Sequence, residues 1–372
     1  MHVVLLGNTS RGVVNFWSVL VASLRAAGCR VTVFAPEGDA DADAAIRAMG
    51  AALRHYPLDR KGLNPVRDMG SLAALYRLFR HEKPDMLFCY TIKPVIYGCL
   101  AGRFAGVRRR FAAITGLGYM FEGDSAVKKI LLALAALLYR LALLEAAAVF
   151  FQNREDWEVF ANAGIVRPTH RVELIRGTGV DVAHFTPVSL PSGPPVFLLV
   201  GRLLEAKGLY EYAQAARMLK KRHPSVRFQL LGPPEQGCGA VPLESVRHWE
   251  REGIIEYLGQ TGDVRPHLAA ASVIVLPSWR EGTPCSVMEG MSMGRPAVVT
   301  DAPGCREVVR SGINGHLAPP RDARALADAM ERFILHPKDI ASMGAAGRRI
   351  AEEEFDARKV AAHIMGVMGL LS

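Results

Sequence analysis

Two glutamates whose spacing could serve chemistry, Glu281 and Glu289, lie on either side of a Thr283-Pro284 pair in the segment REGTPCSVMEGMSMGRP. Threonine is a favoured helix N-cap, and proline fits the first helical position because its missing N–H costs nothing there. The pair therefore predicts a helix start between the two carboxylates. Glu281 would precede that start, and Glu289 would lie about a turn and a half inside the helix.

The first amides of such a helix have no intrahelical acceptor, and the helix dipole makes this end a phosphate site. They would belong to Cys285, Ser286 and Val287. Carboxylates repel phosphate but accept hydrogen bonds from hydroxyl groups. A phosphate flanked by hydroxyl-rich groups is a sugar nucleotide. An ordinary capped helix with two solvated glutamates is the alternative.

Two glycine-containing loops are further candidates. In VGRLLEAKG, Arg202 and Lys207 follow an apolar run and could neutralise a diphosphate, although both could simply be solvated. In GNTSRGVVNF, Gly12 could let the backbone approach a phosphate, or could form a plain tight turn. The loop is not GxGxxG, and no acidic residue follows the next strand, which argues against dinucleotide binding.

Short apolar runs alternate with helical patterns and predict two Rossmann-like α/β domains facing across a cleft. We expect an N-terminal acceptor-binding domain (1–190), a C-terminal nucleotide-sugar domain (191–355) and a C-terminal helix (356–372) that packs on the first domain. The predicted strands are Val3–Leu6, Val31–Phe34, Met86–Cys89, Phe111–Ile114 and Val149–Phe151, then Val196–Val200, Arg227–Leu231, Ile255–Tyr257, Val273–Leu276 and Ala297–Thr300. The Pro-rich stretch Thr186–Pro195 is the predicted linker.

Charge is concentrated in the first half of the chain. Residues 1–190 hold 23 Lys/Arg and 16 Asp/Glu, a net charge of +7 out of +9 for all 372 residues. An anionic partner is expected, and without basic-aromatic interleaving we favour lipid or diphosphate over nucleic acid. The six cysteines show no metal-ligand spacing, which predicts reduced thiols and no structural zinc. No signal-peptide pattern precedes the first strand.

The most apolar segment is SAVKKILLALAALLYRLALLEAAAVFF, Ser125 to Phe151. Arg140 near its middle disfavours a transmembrane helix. An interfacial helix over Val127–Leu144, with Lys128, Lys129 and Arg140 directed toward lipid headgroups, is the preferred interpretation. A helix buried wholly in the core is the alternative.

Taken together, these motifs resemble the retaining glycosyltransferases of family 4, which have the GT-B fold. The most specific element is EGTPCSVMEGMSMGRPAVVTDAPGCREVVRSGINGHLAPP, supported by VGRLLEAKG, FFQNREDWEVF and GTGVDVAHFTP. The resemblance spans nearly the whole chain. It implies that Glu281 holds the hydroxyls of the donor sugar and Glu289 those of the nucleotide ribose. It also implies that Arg202 and Lys207 neutralise the diphosphate.

The same resemblance implies that Gly12 meets the donor phosphate and that the amides of Cys285, Ser286 and Val287 complete its cradle. In the first half, TIKPVIYGCLAGRFAG and AITGLGYMF are similar to bacterial enzymes that extend polyprenyl-diphosphate glycans with N-acetylhexosamines. One such enzyme is the N-acetylgalactosaminyltransferase that extends diphospho-undecaprenol-bacillosamine. Where many family members have a histidine, this chain has Thr115-Gly116, so we assign Lys93 to the acceptor diphosphate or the donor side instead.

The resemblance thus implies a retaining transfer from a UDP-sugar to a polyprenyl-diphosphate-linked saccharide. We expect no cofactor and no metal, an anionic membrane surface as partner, no nucleic acid, and peripheral location on the cytoplasmic side of the inner membrane. A UDP-sugar 2-epimerase of the same fold and a non-enzymatic membrane adaptor are the alternatives.

Overall fold

The computed structural model describes residues 1–60, 62, 64–117 and 126–371, and for residues 126–130 it describes the backbone alone. Two compact units form: Met1–Thr178 together with the chain from Ala357 onward, and Gly179–Asp356. Each unit is built on one parallel sheet with helices on both faces, so the predicted fold class of two Rossmann-like domains is confirmed.

In the first unit, the described residues form a sheet of order β3-β2-β1-β4-β5-β6-β7. Alternate strand residues face two apolar layers, because both faces of the sheet are covered. The strands are β1 (His2–Leu6), β2 (Arg30–Ala35), β3 (Ala52–His55), β4 (Met86–Tyr90), β5 (Arg109–Ile114), β6 (Ala148–Phe151) and β7 (Val172–Leu174). The helices are α1 (Ser10–Phe16), α2 (Ser18–Ala26), α3 (Ala40–Ala48), α4 (Pro65–Glu82), α5 (Ile92–Phe104), α6 (Ala126–Leu143), α7 (Arg154–Asn162) and α14 (Ala357–Val367).

In the second unit, the sheet formed by the described residues has the order β10-β9-β8-β11-β12-β13. Its strands are β8 (Val196–Val200), β9 (Arg227–Leu231), β10 (Glu256–Tyr257), β11 (Val273–Leu276), β12 (Ala297–Thr300) and β13 (Gly315–Ala318). Its helices are α8 (Leu209–Arg222), α9 (Leu243–Arg251), α10 (Arg265–Ala270), α11 (Cys285–Ser292), α12 (Ala323–Leu335) and α13 (Lys338–Glu354), with a 3₁₀ turn at Glu205–Lys207.

The boundary between the units lies at 178/179, not at the predicted 190/191. Val180 and Val182 are buried in the apolar core of the second unit. The fully buried Arg295 also holds the Pro-rich stretch, because its guanidinium donates to the carbonyls of Val188 (2.7 Å) and Ser189 (2.9 Å). The predicted linker is therefore fixed to the second unit. At the other boundary, Val360 and Ile364 of α14 lie in the core of the first unit.

Candidate functional site

Glu281 and Lys207, two predicted site residues 74 positions apart, form an ion pair between Nζ and Oε1. Lys207 ends the 3₁₀ turn that follows β8, and Glu281 lies between β11 and α11. The Lys207 side chain is 22% exposed and the Glu281 side chain is 14% exposed, so the pair is shielded but still reachable from solvent. A carboxylate for hydroxyl groups and an ammonium for phosphate oxygens therefore lie in direct contact.

The backbone at Glu281 is fixed by the loop that follows β12. The Glu281 amide donates to the carbonyl of Pro303 at 2.9 Å. Next to this contact, a Cβ on Gly304 would lie 2.3 Å from the Glu281 carbonyl oxygen, and Gly304 has φ +83°. Glycine is required there by both the close approach and the left-handed backbone. The family signature contains this glycine, but the sequence gives no sign that it supports Glu281.

The helix between the glutamates begins one residue later than the sequence predicts. Pro284 takes the N-cap position of α11, Cys285 is the first helical residue, and the Pro284 side chain makes no capping hydrogen bond. The prediction of Thr283 as N-cap was therefore wrong. Of the three cradle amides, Val287 donates to the Pro284 carbonyl at 3.2 Å, as in a tightened first turn. The amides of Cys285 and Ser286 precede this turn and remain the stronger candidates for phosphate contact.

Glu289 lies inside α11 in a different environment. Part of its surface is accessible, yet the removal of its carboxyl from water raises the pKa to about 7. Near neutral pH the Glu289 carboxyl is therefore only partly ionised. Such a group both accepts and donates hydrogen bonds, which suits recognition of a diol such as a ribose.

Arg202 is less well placed than Lys207. Its side chain is 53% exposed and forms a 2.8 Å ion pair with Glu235. Sequence reasoning missed Glu235, which follows β9 without any motif. This contact uses one of the five guanidinium N–H donors, so Arg202 can meet an anion while it shares this partner or after it releases it.

In the first unit, the loop after β1 carries Gly12. The Gly12 amide donates to the Thr9 hydroxyl at 3.0 Å, so this threonine caps α1 and occupies the donor that a phosphate would use. The same loop is fixed by Ser10, which donates to Asp43 at 2.5 Å. His55 approaches the other Asp43 oxygen at 3.1 Å. These contacts tie the loop to α3 and β3 through Asp43.

Lys93, the predicted diphosphate ligand at the start of α5, is fully engaged within the chain. Its ammonium donates at 2.7 Å to each of three acceptors: the carbonyls of Asp59 and Gly62 and a carboxyl oxygen of Asp68. An ammonium has three N–H donors, and these contacts use all of them. Lys93 thus ties the loop before α4 to α5. A phosphate role stays a prediction and would require Lys93 to exchange these contacts.

Helix α6 presents two unlike faces. Tyr139 and Leu143 are buried, whereas Leu134, Leu137 and Leu141 are 51%, 48% and 43% exposed. Among the described residues, no helix is both long and apolar enough to cross a membrane. The side chains of Lys128 and Lys129, predicted to face headgroups, lie outside the described residues.

Three arginines, one on α6 and two on β5, donate hydrogen bonds to backbone carbonyls and so support the fold. Arg140 does not extend toward lipid, because its guanidinium donates to the carbonyls of Ala163 and Gly164 at the end of α7. Arg110 is buried and donates to the carbonyl of Val107, and Arg109 donates to that of Met368. Unsatisfied carbonyls at helix ends attract such cations. Arg140 is therefore removed from the residues predicted to face lipid headgroups, and Arg109 and Arg110 likewise serve the fold.

Two family matches cover most of the chain. Residues 2–153 match the family described as glycosyl transferase 4-like, and residues 194–336 match glycosyl transferases group 1. Both descriptions are of glycosyltransferases. The chain belongs to this class of enzymes, with one match in each half.

Two curated relatives act on lipid-linked sugars. The N,N'-diacetylbacillosaminyl-diphospho-undecaprenol alpha-1,3-N-acetylgalactosaminyltransferase of Campylobacter jejuni is 25% identical over 90% of this chain and 89% of its own length. The UDP-Gal:alpha-D-GlcNAc-diphosphoundecaprenol alpha-1,3-galactosyltransferase of Escherichia coli is 26% identical over 73% of this chain and 72% of its own.

Among solved structures, Anabaena Alr3699/HepE in complex with UDP-glucose aligns over 100% of both chains with a TM-score of 0.80 and 19% identity. Sucrose-phosphate synthase from Thermosynechococcus elongatus also gives a TM-score of 0.80, at 18% identity over 100% of this chain and 99% of its own. At this identity the two structures support the fold alone, and that fold is the predicted GT-B class.

Proposed function

We propose that this enzyme transfers a sugar, with N-acetylhexosamine as the first candidate, from a UDP-sugar to a polyprenyl-diphosphate-linked saccharide during bacterial glycan assembly. The observation that carries the proposal is the Lys207–Glu281 ion pair beside the start of α11. The relatives from Campylobacter jejuni and Escherichia coli support the substrate class, because both are named for diphospho-undecaprenol-linked acceptors.

In this proposal Glu281 accepts hydrogen bonds from the donor sugar, and Lys207 donates to the leaving diphosphate. Substrate competes with the existing ion pair, and Lys207 can serve both groups because an ammonium carries three donors. The start of α11 adds backbone donors and a favourable dipole. Glu289 holds the ribose, and Arg202 strengthens the charge on the far side of the diphosphate after releasing Glu235.

The transfer proceeds with retention through attack on the same face from which UDP departs. The acceptor oxygen bonds to the anomeric carbon while the bond from that carbon to the phosphate oxygen breaks. The acceptor proton passes to a leaving phosphate oxygen, so no separate protein base is required. Lys207 stabilises the charge that develops on the leaving group, and such selective stabilisation accelerates chemistry.

We propose that the enzyme needs no divalent metal. The ammonium of Lys207 and the α11 amides perform the charge neutralisation that a metal would otherwise supply. Full activity in EDTA is expected, and a strict Mg²⁺ requirement would contradict this part of the proposal.

A membrane surface is the proposed site of action, because a polyprenyl acceptor presents its sugar there. The exposed leucines of α6 and the net charge of +7 in residues 1–190 support contact of the first unit with anionic lipid. Reversible binding to the cytoplasmic side of the inner membrane follows. Changing Lys128 and Lys129 to glutamate should weaken binding to anionic liposomes, and high salt should do the same.

The deciding experiment is a donor screen against a short polyprenyl-diphosphate-linked sugar, read by mass spectrometry. Mass addition matching one UDP-sugar, with an α-anomeric signal by NMR, is expected, and Glu281→Ala is the matched inactive control. Conversion of a UDP-sugar to its 2-epimer without transfer would instead support the epimerase. No reaction with any donor and no UDP binding would overturn the proposal.

A further inference from the structure

The carboxyl ends of β1 and β4, two neighbouring strands of the first unit, lie beside each other where the strand order reverses. The order β2-β1-β4-β5 shows that the chain reverses direction across the sheet between β1 and β4. In open α/β sheets, ligands bind outside the carboxyl ends of the strands at such a reversal. Gly7 follows β1 there. Tyr90 is the last residue of β4, and Thr91 comes directly after it.

The Tyr90 side chain is 2% exposed, and its ring packs against Trp17 with centroids 5.2 Å apart. Among the described residues, its hydroxyl has no hydrogen-bond partner. Burial raises the pKa of Tyr90, so the hydroxyl keeps its proton and remains a donor. A buried donor without an acceptor costs stability, and such groups in native proteins call for an explanation.

Gly7 lies so close to this hydroxyl that a side chain at position 7 would collide with it. A Cβ at residue 7 would lie 2.0 Å from the Tyr90 hydroxyl oxygen, so glycine alone fits above it. Tyr56, which follows β3 and lies beside this loop, behaves differently: its hydroxyl donates to the Gly7 carbonyl at 2.8 Å. One hydroxyl thus anchors the loop, and the other lies beneath it unused.

Thr91, the next residue, repeats the pattern. Its hydroxyl is buried and likewise has no partner within the described part of the chain, and it does not cap α5. Its backbone has φ +67° and ψ 161°, a conformation that is costly for a β-branched residue. Two successive hydroxyl donors therefore lie unused at one strand end.

We propose that Tyr90 and Thr91, beneath the loop that starts at Gly7, form a subsite for an oxyanion of a diphosphate. Both side chains supply donors, and the adjoining start of α5 favours negative charge. Because Gly7 covers the Tyr90 hydroxyl, the anion must shift this loop as it enters. The inference rests on the proposed function, which supplies two diphosphates: that of the nucleotide and that of the lipid-linked acceptor.

The test is Tyr90→Phe, which removes the hydroxyl and little else, with Tyr56→Phe as the matched control. Calorimetry with UDP and, separately, with a short prenyl diphosphate in detergent gives two affinities, and a thermal melt gives Tm. Tyr90→Phe should keep or raise Tm and weaken binding of one diphosphate about tenfold. Tyr56→Phe should lower Tm, because it deletes a hydrogen bond that the fold already makes.

Weaker binding of UDP alone assigns the subsite to the donor, and weaker binding of the prenyl diphosphate alone assigns it to the acceptor. Unchanged affinity for both would overturn the inference and leave the hydroxyl as a water-bound group. A lower Tm with both affinities reduced would also overturn it, since the hydroxyl would then support the fold. Normal turnover by Tyr90→Phe would spare the proposed function, whereas an inactive wild type that binds neither ligand would end both.

Discussion

Lys207 and Lys93 follow strand ends in different units, and both were predicted to bind phosphate, but their surroundings differ. The ammonium of Lys207 has one hydrogen-bond partner among the described residues, the carboxylate of Glu281. The ammonium of Lys93 has three, of which two are backbone carbonyls. An ammonium with donors to spare can bind a substrate, whereas one with every donor used stabilises the fold. Residue type alone cannot separate these roles.

The largest expected effect is that of Glu281→Ala, which should lower transfer about 100-fold or more. The substitution removes the group proposed to hold the donor sugar and leaves Lys207 without its partner. Steady-state transfer to a polyprenyl-diphosphate sugar measures the loss, and circular dichroism checks that the fold persists. Turnover above about half that of wild type would rule out this role for Glu281.

The second largest expected effect is the loss of turnover when either cation beside the proposed diphosphate is removed. Lys207→Ala should lower turnover about 100-fold and Arg202→Ala only about tenfold, with smaller losses of UDP affinity in both. The difference follows from the pairing of Arg202 with Glu235 and its 53% exposure. Equal losses, or a loss of UDP affinity with normal turnover, would contradict the assignment. Measuring kcat and Kd for UDP separately makes the distinction.

Glu289 gives a pH-dependent prediction. Its pKa is raised from 4.5 to about 7, so the stabilising contribution of its protonated form is complete below pH 4.5 and is lost as pH rises through 7. Glu289→Gln should therefore match wild type near pH 4.5. At pH 8 it should be more stable by up to about 3 kcal/mol.

Urea unfolding at the two pH values measures this difference. Glu244→Gln is the control, because the neighbouring Arg251 lowers the pKa of that exposed carboxyl, and no gain at pH 8 is expected. If Glu289→Gln brings no stability at pH 8, the carboxyl is better solvated than its surroundings indicate.

Lys93→Ala extends the comparison of the two lysines to stability. The substitution removes three hydrogen bonds, to Asp68 and to two backbone carbonyls, which should lower the free energy of unfolding by about 1–3 kcal/mol. UDP affinity should not change. Urea unfolding and UDP titration of the same preparation test both parts. A large loss of UDP or acceptor affinity without loss of stability would restore the predicted phosphate role.

The sequence predicted strands that each contain at least two large apolar residues, even where Arg227, Gln229 or Glu256 lies among them. It missed β3, β7 and β13, where the segments ALRH, VEL and GHLA mix polar, charged and small residues. These strands are defined by pairing with a neighbour, as Leu53 pairs with Val33, and a short window cannot show that.

At the site, the sequence identified Glu281 and Lys207 but could not reveal their contact across 74 residues. Tyr90 escaped notice because it ends an apolar run and reads as a core residue. Among the described residues its hydroxyl has no partner, and the residue that covers it, Gly7, follows a different strand, β1. Pairing, burial and missing partners are properties of the folded chain, and they decide which candidates can do chemistry.

The smallest expected effect concerns α6. Leu137, the central residue of the exposed leucine face, is 48% exposed, and burial of that half in lipid contributes about 1 kcal/mol. Leu137→Gln should therefore weaken binding to anionic liposomes about fivefold in co-sedimentation. Leu335→Gln, at a 60% exposed leucine that ends α12 in the second unit, is the matched control and should bind like wild type. Equal weakening by both variants would show that general surface polarity controls binding. No weakening by Leu137→Gln would remove α6 from the membrane contact and leave charge as the sole attraction.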